Sequence, residues 1–586
     1  MGFGSKENGT MATVAALQFA SGTDVQDNLS TCLRMIDRAA GQGPQLMVLP
    51  EFCNHISWYD DAGHAWQVSL DLQGPFLKAI AGRAARHRCY ICINVSLRRR
   101  AGALTISSLL FDPAGELVSI ADKQTLMGHE NTWFVRAASC SDVVATPFGR
   151  IAMFPCRDGV TFETPRGLAL RGAQLFCDSL NSFALDEASL HVPARAPENK
   201  VFLVAANKVG PLIPEHMLES VSAQTHIPLR FLQGAGESQV VAPDGEVLAR
   251  APAQGEAVLC ADIELAQADD KCRPDGTRIF AVRRPELYGP IVRAPQGEAC
   301  GPAATAVTAA CLCPVAQDEA ALTELAALVS ALPADTVLAV LPELFCYGRK
   351  PGEDLEAAAA LGAHAISALQ AACAGREQLA LCTSLVVPAP GGYSLATVLV
   401  DREGVRGLQR QLHYCERHAW SLPGDDFETL ESPWGRLALF AGDDLTHPEL
   451  AKVAALEGAH AIAAPLALQE AWEERYGLRS RSAENRLCLV ASSRPLQGRA
   501  GLIADLQQEF TLMTEWRQRS FDGYINAPLV TEQEPGAAVT TATIHPAAAR
   551  NKLMSERTDL LLDRPWRLSG DLLENWDSAA VDTACG

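Results

Sequence analysis

Gly149–Ala173 reads GRIAMFPCRDGVTFETPRGLALRGA. The apolar run Ile151–Pro155 ends on Cys156, with Arg157 and Asp158 directly behind it. This pattern predicts a strand that delivers a thiol to its tip, beside the N–H groups of a turn. A packing cysteine would follow the same apolar run, so the stretch alone does not decide between the two. The decisive observation is a second copy, GRLALFAGDD at Gly435–Asp444, which carries Gly442 where Cys156 stands.

The two copies register at a constant offset of 286 residues: Gly149 on Gly435, Glu163 on Glu449, Gly172–Ala173 on Gly458–Ala459. ARAPENKVFLVAAN (Ala194–Asn207) pairs with SRSAENRLCLVASS (Ser480–Ser493), and each half closes on an Arg-Pro, Arg284–Pro285 and Arg564–Pro565. So many ordered matches indicate an internal duplication. Within the first copy, apolar strands at 13–19, 45–50, 90–95 and 104–111 alternate with helical spacing over 28–40 and 74–87. Strand–helix alternation mixed with hairpins implies an α/β layered fold with mixed sheets, and near-continuous apolar strands imply sheets covered on both faces. The expected organisation is a disordered segment 1–10, a first domain 11–290, a Pro/Gly/Ala-rich linker 291–303, a second domain 304–570 and a tail 571–586.

The 586 residues carry a formal net charge of −20, which argues against nucleic acid or an anionic membrane as partner and suits a small-molecule substrate. No apolar segment is long enough to span a bilayer, and residues 1–10 have no apolar core of a secretion signal. Eighteen cysteines without a compact framework read as buried thiols in a reducing cytoplasm.

Three polar residues of the first half stand at strand ends: Glu51 in LPEF, Lys123 in ADKQTL and Cys156 in FPCRD. A carboxylate near a thiol can take its proton and pass it to a leaving amine. A nearby ammonium lowers the thiol pKa and steadies a tetrahedral oxyanion, with the Arg157 N–H as a second donor. These motifs, the lysine upstream of the cysteine, and ARAxEN…AAN together resemble the nitrilase, or carbon–nitrogen hydrolase, superfamily over nearly the whole of both halves. The resemblance implies two αββα sandwiches in tandem and no metal or organic cofactor. It implies Glu51 as general base, Lys123 as stabiliser of the intermediate, Cys156 as nucleophile and Glu130 as the glutamate that orients the lysine. The C-R-D triplet fits amidase and carbamoylase branches better than the nitrile-cleaving branch, so an amide or N-carbamoyl substrate is expected. Arg157, His129 and Trp133 are candidate substrate contacts, Arg157 through a carboxylate fork; His55 is a further candidate for the pocket.

In the second half, Glu343 (LPEL) and Glu416 match the two glutamates, Gly442 removes the nucleophile, and Gln409, with Arg410 beside it, falls at the lysine position. This half is expected to be inactive and to serve as an internal partner subunit in a pseudo-dimer, with further homo-oligomerisation open. Asp158 and Asp444, present in both halves, read as structural residues of the turn. The alternatives are nitrile hydrolysis at the same site, a non-catalytic binding or regulatory scaffold, and a glutaminase supplying ammonia to a separate synthetase.

Overall fold

The computed structural model describes residues 11–576 other than 298–299, 515, 517 and 518; the segment expected to be disordered, 1–10, lies outside the described residues. Each half contains two six-stranded sheets. In the first half, one sheet runs Ala257–Glu264, Met11–Gln18, Leu46–Val48, Tyr90–Arg98, Leu104–Phe111, Leu117–Asp122. The other runs Val247–Arg250, Gln239–Val241, Phe202–Ala206, Leu175–Ser179, Gly149–Pro155, Val143–Thr146.

The period-two alternation of strand side chains builds the layers. Val14, Leu46, Val48, Cys92 and Leu110 face Ile151, Met153, Leu175 and Val204 of the opposing sheet. The alternate residues Ala15, Leu17, Met47, Ile91 and Ile93 pack under the helices Val25–Ala40 and Pro75–His87. The first of these helices is started by Asp24, whose carboxylate accepts from the N–H groups of Gln26 and Asp27. On the far side, Phe154, Phe176 and Leu203 pack under Leu168, Ala169 and Val192. The result is an αββα sandwich, and the second half repeats it with the orders expected from the duplication.

The halves meet through the helices that follow the cysteine and glycine positions, and the contacts are reciprocal. Lys452 Nζ lies 3.4 Å from Glu163, and Arg166 lies 3.2 Å from Glu449, the two pairs being related by the 286-residue offset. Arg195, Glu198, Arg481 and Glu484 close a ring in which each arginine pairs with both glutamates, every side chain at most 1% exposed. Such self-complementary pairing is the signature of a twofold interface, here within one chain.

Two features depart from the expected domain plan. Residues 571–576, read as the start of a tail, dock on the first half: Leu572 is buried, Asp571 pairs with Arg171, and Trp576 packs edge-on against Phe280. The hairpin joining Gln239–Val241 to Val247–Arg250 is short, but its counterpart between Leu502–Asp505 and Leu529–Glu532 is long, and its described residues Phe510, Leu512, Phe521 and Ile525 pack against the first half.

Candidate active site

Cys156 sits where the strand Gly149–Pro155 breaks into the short helix Arg157–Val160, at φ 47°, ψ −104°. A non-glycine residue in that region is strained. Its N–H is held by Asp178 Oδ1 at 2.9 Å. Gly442 keeps the same turn at φ 57°, so the elbow belongs to the fold and outlasts the thiol.

Lys123 leaves the edge strand Leu117–Asp122 and is buried between two carboxylates, its Nζ 2.8 Å from Glu51 Oε1 and 2.9 Å from Glu130 Oε1. Burial disfavours the ammonium, but the charges of Glu130 and Glu51 outweigh it and hold the lysine well above its ordinary pKa. Glu130 is tied at both oxygens, since its Oε2 accepts the Met127 N–H at 2.8 Å. Glu51 differs: its Oε2 is buried with no hydrogen-bond partner among the described residues. Burial raises Glu51 to about 7 against the pull of Lys123. Burial, then the charge of Glu51, also raises the Cys156 thiol well above its usual range. Asp158 accepts the N–H groups of Gln124 and Thr125 at 2.8 and 2.7 Å and so fixes the loop leaving the lysine; Asp444 does the same for Leu412 and His413.

These side chains open on a cavity of about 360 Å³. Arg157 lines it while being only 3% exposed, and its Nε and Nη1 have no partner. His129 stands at the rim, its Nε2 2.6 Å from the Ser57 carbonyl. Trp133 is a correction: it does not line the cavity but packs edge-on against Tyr59, ring centroids 6.0 Å apart, in a separate apolar cluster. His55 stacks on the same Tyr59 and is likewise outside the cavity.

Two groups of lining residues were not legible in the sequence. One is the turn after Leu175–Ser179, which brings Asn181, Asp186, Glu187 and His191 to the cavity. The other comes from the second half: Leu512, Met513, Ile525 and Met554 add to the apolar wall, and Asn526 lines the cavity beside them. Asp186 anchors that wall, its Oδ2 accepting the N–H groups of Ile525, Asn526 and Ala527 at 2.8–3.0 Å.

The corresponding place in the second half is closed. Asp444 binds Leu412 and His413 as Asp158 binds Gln124 and Thr125, which puts Gln411 at the lysine position, not Gln409 or Arg410. Gln409 caps the Arg410 and Asp426 carbonyls, and Arg410 pairs with Asp425 at the surface. Gln411 lies directly against Gly442, where an added Cβ would come within 2.8 Å of its Cδ. Glu416 is exposed and accepts from the Tyr414 hydroxyl, so it is not the second glutamate either. Glu343 is instead clamped by Arg417 and by His418 Nε2 at 2.8 Å. Against the upward push of burial, those cations hold Glu343 at about 2. Among the described residues, the grouping that converges as metal ligands do is Asp275, Cys415 and Asp443, but Arg417 and Arg273 already neutralise Asp443.

A family model described as carbon-nitrogen hydrolase matches residues 13–271 and again 305–498. The chain belongs to the carbon-nitrogen hydrolase family. Curated relatives of this family include a nitrilase of Pyrococcus abyssi, 26% identical over 44% of this chain and 92% of its own length. An N-carbamoylputrescine amidase of Solanum tuberosum is 25% identical over 48% of this chain and 95% of its own. Among solved structures, a variant of the amidase from Nesterenkonia sp. AN1 in complex with butyramide matches 46% of this chain and 96% of its own at 23% identity, TM-score 0.37. These two curated relatives each match about half of this chain and nearly the whole of their own length.

Proposed function

We propose that the first half is a thiol hydrolase of amide or N-carbamoyl C–N bonds and that the second half is catalytically inactive. The observation that carries the reading is the buried Glu51–Lys123–Glu130 set, with a free Glu51 oxygen, opening on the same cavity as a thiol raised on a strained elbow. In this reading Glu51 takes the Cys156 proton as sulfur bonds to the carbonyl carbon. The oxyanion is received by Lys123 Nζ and the Arg157 N–H. The C–N bond then breaks, the proton held by Glu51 leaves with the amine, and a thioester remains. Water enters, gives a proton to Glu51 and adds to the thioester; the S–C bond breaks and the thiol recovers that proton. Lys123 keeps its charge throughout, because Glu130 stays beside it while Glu51 carries the proton. The raised thiol favours transfer coupled to attack over a standing thiolate.

Gln411, Gly442 and the clamped Glu343 leave the second half with no nucleophile, no cation on the oxyanion and no free base. The Cys156-Arg157-Asp158 triplet is the ground for preferring amide and carbamoyl substrates; the curated relatives include proteins named nitrilase as well as an N-carbamoylputrescine amidase, so nitriles belong in the test. The test is ammonia release from primary amides, N-carbamoyl amino acids, ureas and nitriles, with Cys156→Ala as control. Turnover of amides or carbamoyl compounds that vanishes in the variant is expected. Turnover confined to nitriles, or surviving the substitution, would sink the reading.

A further inference from the structure

Two opposite charges face the cavity without partners. Arg157 is 97% buried in effect, at 3% exposure, and makes no hydrogen bond or ion pair among the described residues. Glu187, at 7% exposure, also lines the cavity, and its carboxylate has no hydrogen bond or ion pair there either. They do not pair with each other within ion-pair distance. Around them, Asp186 Oδ2 takes three N–H groups and His191 Nε2 lies 2.7 Å from Asn526 Oδ1, while Asp186 Oδ1, His191 Nδ1 and Asn526 Nδ2 are buried with no partner among the described residues.

The second copy shows how this fold satisfies the same positions when no ligand is to enter. By the 286-residue offset, Asp443 replaces Arg157 and Glu473 replaces Glu187, each pair on matching turns, including the π-helical turns Glu187–His191 and Glu473–Gly477. Both acids are neutralised by Arg273, which reaches across from the first half, 3.3 Å from Asp443 and 2.7 Å from Glu473. The residue equivalent to Arg273 can be read from its flanks. Lys271 and Lys552 each cap two carbonyls of the matching turns at 199–200 and 485–486. Thr277 and Thr558 each accept a loop N–H, from Glu416 and Gly128. Arg273 therefore corresponds to Met554, which lines the active cavity. Where the closed site has a protein guanidinium, the open one has a methionine and space.

Burial raises the Glu187 carboxyl to about 7 against the pull of His191 and Arg157. A buried charge left without a partner is destabilising, so a cavity that bears Arg157 and Glu187 suits a ligand carrying both signs. Resting on the hydrolase reading above, we infer that the substrate is a zwitterionic amide or ureido compound, its carboxylate on Arg157 and its ammonium on Glu187. The apolar wall from the second half covers the methylene chain between the charges and the scissile carbonyl.

The test compares kcat/KM for isosteric ω-amides: L-glutamine (zwitterion), glutaramic acid (anion), γ-aminobutyramide (cation) and butyramide (neutral). L-citrulline, δ-ureidovaleric acid, N-carbamoylputrescine and butylurea form the ureido series. The zwitterion of at least one series is expected to lead it. In Arg157→Gln the ratio of zwitterion to neutral analogue should fall about 10- to 100-fold, the scale of one lost charge-assisted hydrogen bond, and in Glu187→Gln likewise. Met554→Arg, which would set a guanidinium beside Glu187 as Arg273 sits beside Glu473, should abolish the preference by inserting the second site's plug. A wild type that prefers the neutral, anionic or cationic member, or ratios unmoved by the substitutions, overturns the inference while leaving the hydrolase in place. If nothing is hydrolysed, calorimetry of Cys156→Ala decides: binding of L-glutamine or L-citrulline that Arg157→Gln weakens keeps the inference without the hydrolase, and no binding overturns both.

Discussion

The ring of Arg195, Glu198, Arg481 and Glu484 allows the joint between the halves to be measured. Glu198 Oε1 accepts from Arg195 Nη1 at 2.6 Å and Oε2 from Arg481 Nη2 at 2.8 Å. Glu198→Gln keeps the volume but turns an amide NH₂ toward one guanidinium, and leaves two buried arginines with Glu484 as their only carboxylate in the ring. Breaking a buried pair from one side typically costs about 3–5 kcal/mol, less whatever desolvation of Glu198 is relieved, so a net loss of about 3 kcal/mol is expected. Urea unfolding, followed by tryptophan fluorescence and by alkylation of buried thiols, measures it. Burial opposes ionisation of Glu198, but Arg195 and Arg481 hold its carboxyl below the usual range. A depressed folded pKa means that its contribution is complete above the unfolded carboxylate pKa and is lost as pH falls through the folded value. The difference between wild type and variant should therefore shrink in acid. A loss under about 1 kcal/mol at neutral pH, or a difference that grows in acid, would refute the claim that this ring joins the halves.

Further outcomes follow from the site. Glu51→Gln should lower kcat by about 10²–10⁴-fold, the usual worth of a general base, and Lys123→Met by about 10²–10³-fold, the worth of one oxyanion donor; ammonia release under saturation reads both. Because Glu51 must be ionised and burial raises it to about 7, kcat/KM should climb as pH rises through about 7, and a profile already flat at pH 5 would contradict its role as base. Asp186→Asn should loosen the second-half wall, seen as faster hydrogen exchange at Ile525–Ala527 and a raised KM with a smaller change in kcat. Gly442→Cys in a Cys156→Ala background should restore no turnover and cost about 1–3 kcal/mol for overpacking, because the new Cβ meets Gln411.

Much of the fold could be read from the sequence because glycine turns and strand ends recur at one spacing. The elbow is the best case: both copies keep the positive φ, so GRIAMFPCRD and GRLALFAGDD align without ambiguity. The misplacement of the lysine position has a local cause. Gly128 and Glu416 donate to equivalent threonines, so the loop after Gln411 is displaced by two residues relative to the offset that holds from Gly149 onward. Loops absorb such changes without leaving a turn signal, and Gln409 for Gln411 was the result. The wall built on Leu512, Met513 and Ile525 was illegible for a different reason. Its apolar residues bury against the other half, and no periodicity within the segment reports a partner so remote in sequence. Trp133 was misread because an aromatic near the Lys123–Glu130 loop satisfies an apolar cluster as readily as a cavity.

The asymmetry of the two sites can be traced to few positions. In a symmetric dimer, each subunit would send the same loop into the other's cavity, and one side chain would have to suit both. A tandem chain removes that constraint. The first half sends Arg273 across, which binds Asp443 and Glu473 and fills the second site; the second half sends Met554 back, which neutralises nothing and leaves the first site open. Glycine at 442 suits the fold, because the strained turn is easier for glycine than for cysteine. The second half gives the first the apolar wall of Leu512, Met513, Ile525 and Met554, the anchor for Asp186, and half of a charge ring that neither copy could close alone.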